Sequence, residues 1–213
     1  MRLWTIQGIA IYEQLQKEGV AYCTHPDWSD YEEIMHAYHW MAAQMRKRIG
    51  NPPVQGIEFP LWAWYQYDSA KRKKPTRSPI NCCEGLSAFM EIEIPEHQVL
   101  LSDFSNWHTA LNLCALTDWK RISKKTEQLD ELAGRRLLFK EYPKDIQKEI
   151  ENSWEAIFDL DRRDKTVGRT YKKNRSIQAT FWALYPENVC SVEFLERKGD
   201  NVKTYKEIVS LTN

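Results

Sequence analysis

Two short segments, one near each end of the chain, set polar side chains among apolar ones in patterns typical of β-strands. They read L-W-T-I-Q over residues 3–7 and I-Q-A-T-F over residues 177–181. A polar side chain in a buried strand needs a hydrogen-bond partner or a ligand. We therefore expect the two strands to lie side by side at the base of a cleft, with candidate binding or catalytic side chains at Thr5, Gln7, Gln178 and Thr180.

The residue types of a catalytic triad occur close together in the middle of the chain, as Ser102, Asp103 and His108. A triad requires mutual hydrogen-bond reach, which spacing alone does not establish. The simpler interpretation makes Asp103 the N-cap of a helix that carries His108 one turn further on. Because helix starts also bind anions, Asp103, Trp107 and His108 remain candidates for a pocket.

Aromatic side chains are abundant, with nine Trp and ten Tyr among 213 residues. Most such rings fill protein cores. Residues 59–67, F-P-L-W-A-W-Y-Q-Y, concentrate them in one predicted strand, where Trp62 and Trp64 share a face. These two rings are candidates for stacking on a flat ligand.

Two segments are rich in basic side chains. Such runs form either solvated surface loops or contacts with the phosphates of a nucleic acid or dinucleotide. The candidates for nucleic-acid contact are Lys71, Arg72, Lys73, Lys74 and Arg77 in the first segment, and Arg162, Arg163, Lys172 and Lys173 in the second.

Composition limits the class of protein. Thirty basic and thirty acidic residues cancel, and 42% of the residues are hydrophobic, which suits one domain over residues 1–213. Five cysteines without C-x-x-C spacing indicate reduced thiols and a cytoplasmic location, and we expect no signal peptide or membrane span. Eight glycines and no G-x-G-x-x-G or G-x-x-x-x-G-K pattern argue against a Rossmann dehydrogenase or a P-loop NTPase.

Metal chemistry has little support in the sequence. His36 and His39 lie three residues apart, which places both imidazoles on one face of a helix. No third ligand accompanies them, so we expect no metal site.

Strand-like and helix-like segments alternate along the chain, which favours a single α+β domain. The predicted strands are 3–7, 59–67, 89–94, 99–101, 177–184 and 189–195. The predicted helices are 9–17 with Gly19 as C-cap, one capped by Ser29 or Asp30 and ending before Gly50, one starting after Asp103, a partial helix within 120–142, and one starting at Pro143.

Several segments together resemble a bacterial family described only as domain of unknown function 3841. They are L-W-T-I-Q at the start, Y-H-W-M at 38–41, P-L-W-A-W at 60–64, L-L-S-D-F at 100–104 with W-H at 107–108, S-W at 153–154 with I-F at 157–158, and I-Q-A-T near the end. This resemblance covers nearly the whole chain and implies no particular activity.

A more distant resemblance suggests chemistry. ADP-ribosyltransferases of the DNA-modifying toxin type open with a strand written roughly I-Y-H-I-T, followed by a helix and a glycine. They carry a late strand written roughly Q-A-E-F, whose Glu is catalytic. Residues 3–7 are similar to the first strand and residues 178–181 to the second. The resemblance implies an ADP-ribosyltransferase-like mixed β core flanked by helices, with NAD as substrate. It also implies a toxin or defence enzyme that modifies a nucleic acid or protein and has an inhibitory partner protein.

Two departures bear on that chemistry. Thr5 stands where the toxins have His, and Thr180 where they have the catalytic Glu. A hydroxyl carries no charge to stabilise the positive charge that develops as nicotinamide leaves. Either Glu193 or Asp103 supplies the carboxylate, or the fold binds without transferring; Gln178 would then hydrogen-bond a ribose or an amide.

Three functions therefore stay open. The first is an NAD-using, ADP-ribosyltransferase-like enzyme. In this interpretation the nucleotide is bound by Thr5, Gln7, Trp62, Trp64 and Trp107. The second is a non-enzymatic module that binds a nucleotide or nucleic acid. The third is a protein-interaction domain whose aromatic rings are simply core.

Overall fold

A computed structural model describes residues 1–26, 31–68, 72, 74–75, 85–161, 175–199 and 201–207. Within these residues, a seven-stranded antiparallel sheet has the order β5-β6-β3-β1-β4-β8-β9, and β2 pairs with β7 in a second, two-stranded sheet. The strands are β1 Arg2–Gly8, β2 Ala21–Tyr22, β3 Leu61–Gln66, β4 Gly85–Glu93, β5 Leu100–Asp103, β6 Ile177–Phe181, β7 Ala183–Leu184, β8 Val189–Lys198 and β9 Asn201–Glu207. The helices are α1 Ile9–Glu18, α2 Glu32–Ile49, α3 Phe104–Leu111, α4 Trp119–Ala133 and α5 Lys144–Ser153. The chain is thus a mixed α+β protein, as the alternation of segments predicts.

The large sheet buries side chains on both faces around β1. Leu3 packs with Tyr12 and Leu15 of α1 in one apolar cluster. Its neighbour Trp4 points to the other face and packs with Phe89 and Leu195 in a separate cluster. Because successive side chains of a strand alternate between faces, consecutive buried residues require cover on both sides.

The remaining helices cover the half of the sheet formed by β3, β6 and β5. Met41 and Met45 of α2, Trp107 of α3 and Ile150 of α5 share one cluster with Leu100 of β5. Trp154, in a 3-10 helix that spans Trp154–Phe158, is fully buried there, and its indole N–H donates to the Cys114 carbonyl oxygen at 2.8 Å. This apolar layer fixes α3 against the strands that carry most of the candidate site residues.

The first helix ends as the sequence predicts. Gly19 adopts a left-handed conformation, φ +70°, and its N–H donates to the Leu15 carbonyl oxygen at 3.0 Å. Glycine suits this position because it has no Cβ to oppose a positive φ.

Several predicted boundaries are wrong. The single strand predicted over 177–184 is divided at Trp182, whose indole N–H turns aside to the Gly50 carbonyl oxygen at 2.9 Å. After this interruption, β7 leaves the large sheet and pairs with β2, while Leu61–Gln66 is shorter than the strand predicted over 59–67. The predicted caps Ser29 and Asp30 lie outside the described residues; α2 begins at Glu32.

None of the helices in the described part of the chain combines the length and the apolar character needed to cross a membrane.

A charged cluster closes the connection between α4 and α5. The side-chain hydrogen bond from Arg135, followed by the backbone N–H of Leu138, lowers the pKa of Glu141 to about 2. The two bonds to Glu141 Oε2 are 3.0 Å from Arg135 and 2.7 Å from Leu138. This carboxylate therefore stabilises the fold in its ionised form.

We expect the Glu141 contribution to the free energy of unfolding to be complete above pH 4.5, the ordinary pKa of a glutamate side chain, which we take for the unfolded state. It should be lost as the pH falls from there towards about 2. Urea titrations across this range should show a shallower pH dependence in Glu141→Gln. Arg135→Gln should shift the same loss to higher pH. An unchanged pH profile in Glu141→Gln would contradict this assignment.

Candidate functional site

Strands β1 and β6 are not neighbours, so the prediction that they lie side by side is wrong. β3 lies between them and pairs with both. The three strands nevertheless bring the two end segments to within two interstrand spacings, roughly 10 Å, of each other. The strand that separates them is the one that carries Trp62 and Trp64.

A row of side chains crosses four strands on one face of the sheet. Trp4 lies opposite Trp64, Trp64 opposite Gln178, and Gln178 opposite Ser102. Directly paired residues of antiparallel strands share a face and have Cβ atoms roughly 5 Å apart. The sheet register therefore places Gln178 beside Trp64, one of the two tryptophans that the sequence analysis proposed for ligand stacking.

Several polar atoms on this face are buried and have no hydrogen-bond partner among the described residues. They are the indole nitrogens of Trp4 and Trp62, the Ser102 hydroxyl oxygen and Oε1 of Gln178. A buried polar atom without a partner costs roughly 1–3 kcal/mol. Trp4, Gln178 and Ser102 belong to the row, and Trp62 lies two residues before Trp64 on the same face. These atoms are the strongest structural indication of a ligand site in the described residues.

Aromatic rings surround this row. Trp62 packs against Trp107 at 5.1 Å between ring centroids, and Tyr38 of α2 lies 5.9 Å from each. On the other side, the rings of Trp64 and Phe104 are 4.9 Å apart. The three predicted tryptophans thus lie in one aromatic region. Sequence reasoning missed Trp4, Tyr38 and Phe104. The alternation of β1, which places Trp4 on the same face as Ile6, could have indicated Trp4.

Thr5 and Gln7 belong to the opposite face of β1 but reach the backbone of β3. The Thr5 hydroxyl donates to the Trp62 carbonyl oxygen at 2.6 Å. Gln7 Nε2 donates to the Thr5 hydroxyl at 2.7 Å and to the same carbonyl oxygen at 3.3 Å. In this structure, both side chains bind the neighbouring strand.

Thr180, which the sequence resemblance aligns with the toxins' catalytic Glu, is fully buried. Its hydroxyl donates to the Leu100 carbonyl oxygen at 3.3 Å. It lies between Trp62 and Leu100 in the register of the sheet. A neutral, enclosed hydroxyl cannot supply the charge that a carboxylate supplies in that chemistry.

Asp103 is the N-cap of α3, as the simpler interpretation of the sequence predicts. Its carboxylate accepts the Asn106 N–H at 2.9 Å and lies 3.7 Å from Nε of Arg175, with both side chains about 5% exposed. The carboxylate is thus committed to a helix cap and a buried ion pair. Arg175 lies three residues before Gln178 and ties the start of β6 to α3.

Glu193 lies far from the row. It belongs to β8, four strands from β6 and therefore roughly 19 Å away. Its carboxylate is 2.6 Å from Lys74 Nζ. This position does not let Glu193 replace a carboxylate at Thr180.

His108 lies on α3, exposed at the edge of the aromatic region. Its Nδ1 is 2.9 Å from the Phe104 carbonyl oxygen, and its ring lies 4.3 Å from that of Phe104. The ring is a candidate rim residue. Ser102, Asp103 and His108 show no mutual hydrogen bond in the described structure.

The basic segments are described only in part. Arg72 lies over the Tyr65 ring at 3.9 Å and donates to the Arg2 carbonyl oxygen at 2.5 Å, while Lys74 pairs with Glu193. These two side chains are engaged within the protein. The other predicted phosphate contacts, Lys71, Lys73, Arg77, Arg162, Arg163, Lys172 and Lys173, lie outside the described residues.

The predicted histidine pair serves packing. His36 Nε2 is 2.8 Å from the Glu151 carboxylate, and the His39 ring lies 5.1 Å from Phe59. The described parts of the chain contain no group of three or more His, Cys, Asp or Glu side chains that could hold a metal ion.

Comparison with known families identifies the family to which the chain belongs. The family described as domain of unknown function (DUF3841) matches residues 2–190, and the chain belongs to this family. The match includes every candidate site residue except Glu193. No curated protein and no solved structure matches the chain.

Replacing Thr5 with Val should cost roughly 1–3 kcal/mol of unfolding free energy, because it removes both the donor to the Trp62 carbonyl and the acceptor for Gln7. Thr180→Val is the matched control, since it removes a single hydroxyl whose bond is longer. Urea denaturation of both variants measures the difference. A loss in Thr180→Val that equals or exceeds the loss in Thr5→Val would refute the linking role of Thr5.

Replacing Asp103 with Asn should cost about 3 kcal/mol, because Asn still caps the helix but leaves the buried Arg175 without its counter-charge. Asp103→Ala should lose the cap as well and cost roughly 1 kcal/mol more. Chemical denaturation of the two variants tests the order. Wild-type stability in Asp103→Asn would show that the ion pair is unimportant.

Proposed function

We propose that this protein is an ADP-ribosyltransferase-like domain that binds NAD, with the nicotinamide carboxamide held at the row formed by Trp64, Gln178 and Ser102. The observation that carries the proposal is the set of buried polar atoms without partners on this face, among the described residues. The resemblance of residues 3–7 and 178–181 to the two toxin strands supports it.

The chemistry of the row and of the neighbouring Trp62 fits a carboxamide on an aromatic ring. Oε1 of Gln178 needs a donor, and the indole N–H of Trp62 needs an acceptor. A primary amide supplies an N–H donor and a carbonyl acceptor within one planar group. The half-buried rings of Trp62 and Trp64 offer apolar surface for the pyridine ring that carries it.

Binding is better supported than transfer. Thr180 is neutral and enclosed, Asp103 is paired with Arg175, and Glu193 lies four strands away. No described carboxylate among the sequence candidates is therefore placed to stabilise the charge that develops as nicotinamide leaves. We therefore propose that the protein binds NAD, and that binding rather than ADP-ribosyl transfer is its primary activity.

Calorimetric titration with NAD and with ADP-ribose tests the proposal, because the two ligands differ by the nicotinamide. NAD should bind more tightly than ADP-ribose, and Gln178→Ala should weaken NAD binding about tenfold, the equivalent of one hydrogen bond worth roughly 1.4 kcal/mol. ADP-ribose binding should be unchanged in this variant. Gln98→Ala, an exposed glutamine outside the row, is the matched control.

Two outcomes would oppose the proposal: no measurable NAD binding, or equal affinity for NAD and ADP-ribose. The second candidate function, ADP-ribosyl transfer, is separated by measuring nicotinamide release with DNA, RNA and protein targets. Target-dependent release that disappears in Gln178→Ala would assign transfer to this site. In that case a cytoplasmic toxin or defence enzyme, restrained by a partner protein, becomes the matching biological hypothesis.

A further inference from the structure

A cavity of about 780 Å³ lies within the helical layer. One wall is α4, another is the turn that follows α3, and a third is the connection between α4 and α5. The candidate nucleotide-site residues do not line it. Its volume is in the range of small-molecule sites, roughly 300–1,000 Å³.

Helix α4 packs weakly on its cavity side. It has 15 residues, of which Ile122 is the buried one, and Trp119 at its first turn is 44% exposed. Amphipathic helices in proteins owe most of their stability to the burial of their apolar face. Ile122 is already buried and the other α4 residues that line the cavity, apart from Trp119, are polar. The exposed Trp119 ring is therefore the apolar surface of α4 that a bound molecule could cover.

Ion pairs hold α4 to α5. Arg121 and Lys125 contact the Glu149 carboxylate at 3.0 and 2.7 Å. Exposed pairs of this kind contribute little, roughly 0–1 kcal/mol each. They fix the position of α4 without filling the space beneath it.

The walls combine aromatic rings with an excess of negative charge. Trp119, Phe139 and Tyr142 line the cavity, as do three carboxylates, Glu33, Glu127 and Asp130, against one guanidinium, Arg136. The Tyr142 hydroxyl donates to Asp130 at 3.2 Å, which holds that carboxylate at the wall. Burial, and then this hydrogen bond, raises the pKa of Tyr142, as expected for a partly dry wall.

We infer that this cavity binds a small organic cation that carries an apolar body. The carboxylates would attract the ammonium group, and the exposed Trp119 ring would contact it and cover the apolar part. Charge decides between the ligand classes, because an anion would meet three carboxylates and one guanidinium. This site is independent of the proposed nucleotide site.

A fluorescence titration with dansylcadaverine, an aromatic primary amine, tests the inference. N-pentyl dansylamide, which keeps the five-carbon chain and lacks the terminal amine, is the neutral ligand control. The 213-residue chain should enhance dansylcadaverine fluorescence in a saturable manner. It should bind the neutral control at least about fivefold more weakly, the equivalent of roughly 1 kcal/mol.

Variants determine whether binding occurs in this cavity. Glu127→Gln should weaken dansylcadaverine binding about threefold to tenfold. Glu131→Gln, an equal change of charge on the same helix outside the cavity lining, should leave it unchanged. Arg136→Gln should strengthen binding, because it removes the like charge.

Three results would overturn the inference: no saturable binding, equal binding of the charged and neutral probes, or equal weakening by Glu127→Gln and Glu131→Gln. Weaker binding in Arg136→Gln would also overturn it, since that result indicates an anion site. Glu127 and Arg136 are exposed, so circular dichroism of the variants should match the native protein and separate binding from folding.

Discussion

The structure depends on the junction between β1 and β3, where the two halves of the large sheet meet. One backbone pair, Trp4 opposite Trp64, sets the register there, whereas β1 and β4 share seven paired positions from Arg2 to Gly8. Beyond this pair, Thr5 and Gln7 bind the Trp62 carbonyl oxygen through their side chains. Side-chain hydrogen bonds thus supplement a short backbone ladder at the centre of the sheet. Thr5 and Gln7, the polar residues of β1, thus hold β3 and the aromatic region in place.

This junction separates two kinds of polar residue that look alike in the sequence. Thr5, Thr180 and Asp103 have partners within the protein, so their polarity is explained by the fold. Gln178 Oε1, Ser102 Oγ and the Trp62 indole N–H have none among the described residues. Unmet hydrogen-bonding capacity, rather than the presence of polar residues in strands, is what identifies a site. The distinction shifts attention from Thr180 to Gln178, two positions before it.

Local patterns in the sequence were sufficient for the elements that local chemistry determines. The end of α1 at Gly19, the cap at Asp103 and the alternation of β1 follow from backbone conformation and burial. Long-range partners were not accessible in the same way. That β3 lies between β1 and β6, that Arg175 pairs with Asp103, and that Glu193 is four strands from β6 all depend on strand order. Strand order is set by the packing of the whole chain, which a single sequence does not encode in any short window.

Trp62 shows how closely binding and stability are joined in this protein. Its ring packs against Trp107 and Tyr38 and thereby links β3 to α2 and α3. The indole nitrogen of the same ring has no hydrogen-bond partner in the described part of the chain. A change that removes this ring would damage the core and the candidate site together. Polar changes such as those at Gln178 alter hydrogen bonding without removing an aromatic contact. For a site built from core residues, the informative variants are those that change one polar atom and leave the packing intact, because only they separate recognition of a ligand from maintenance of the fold.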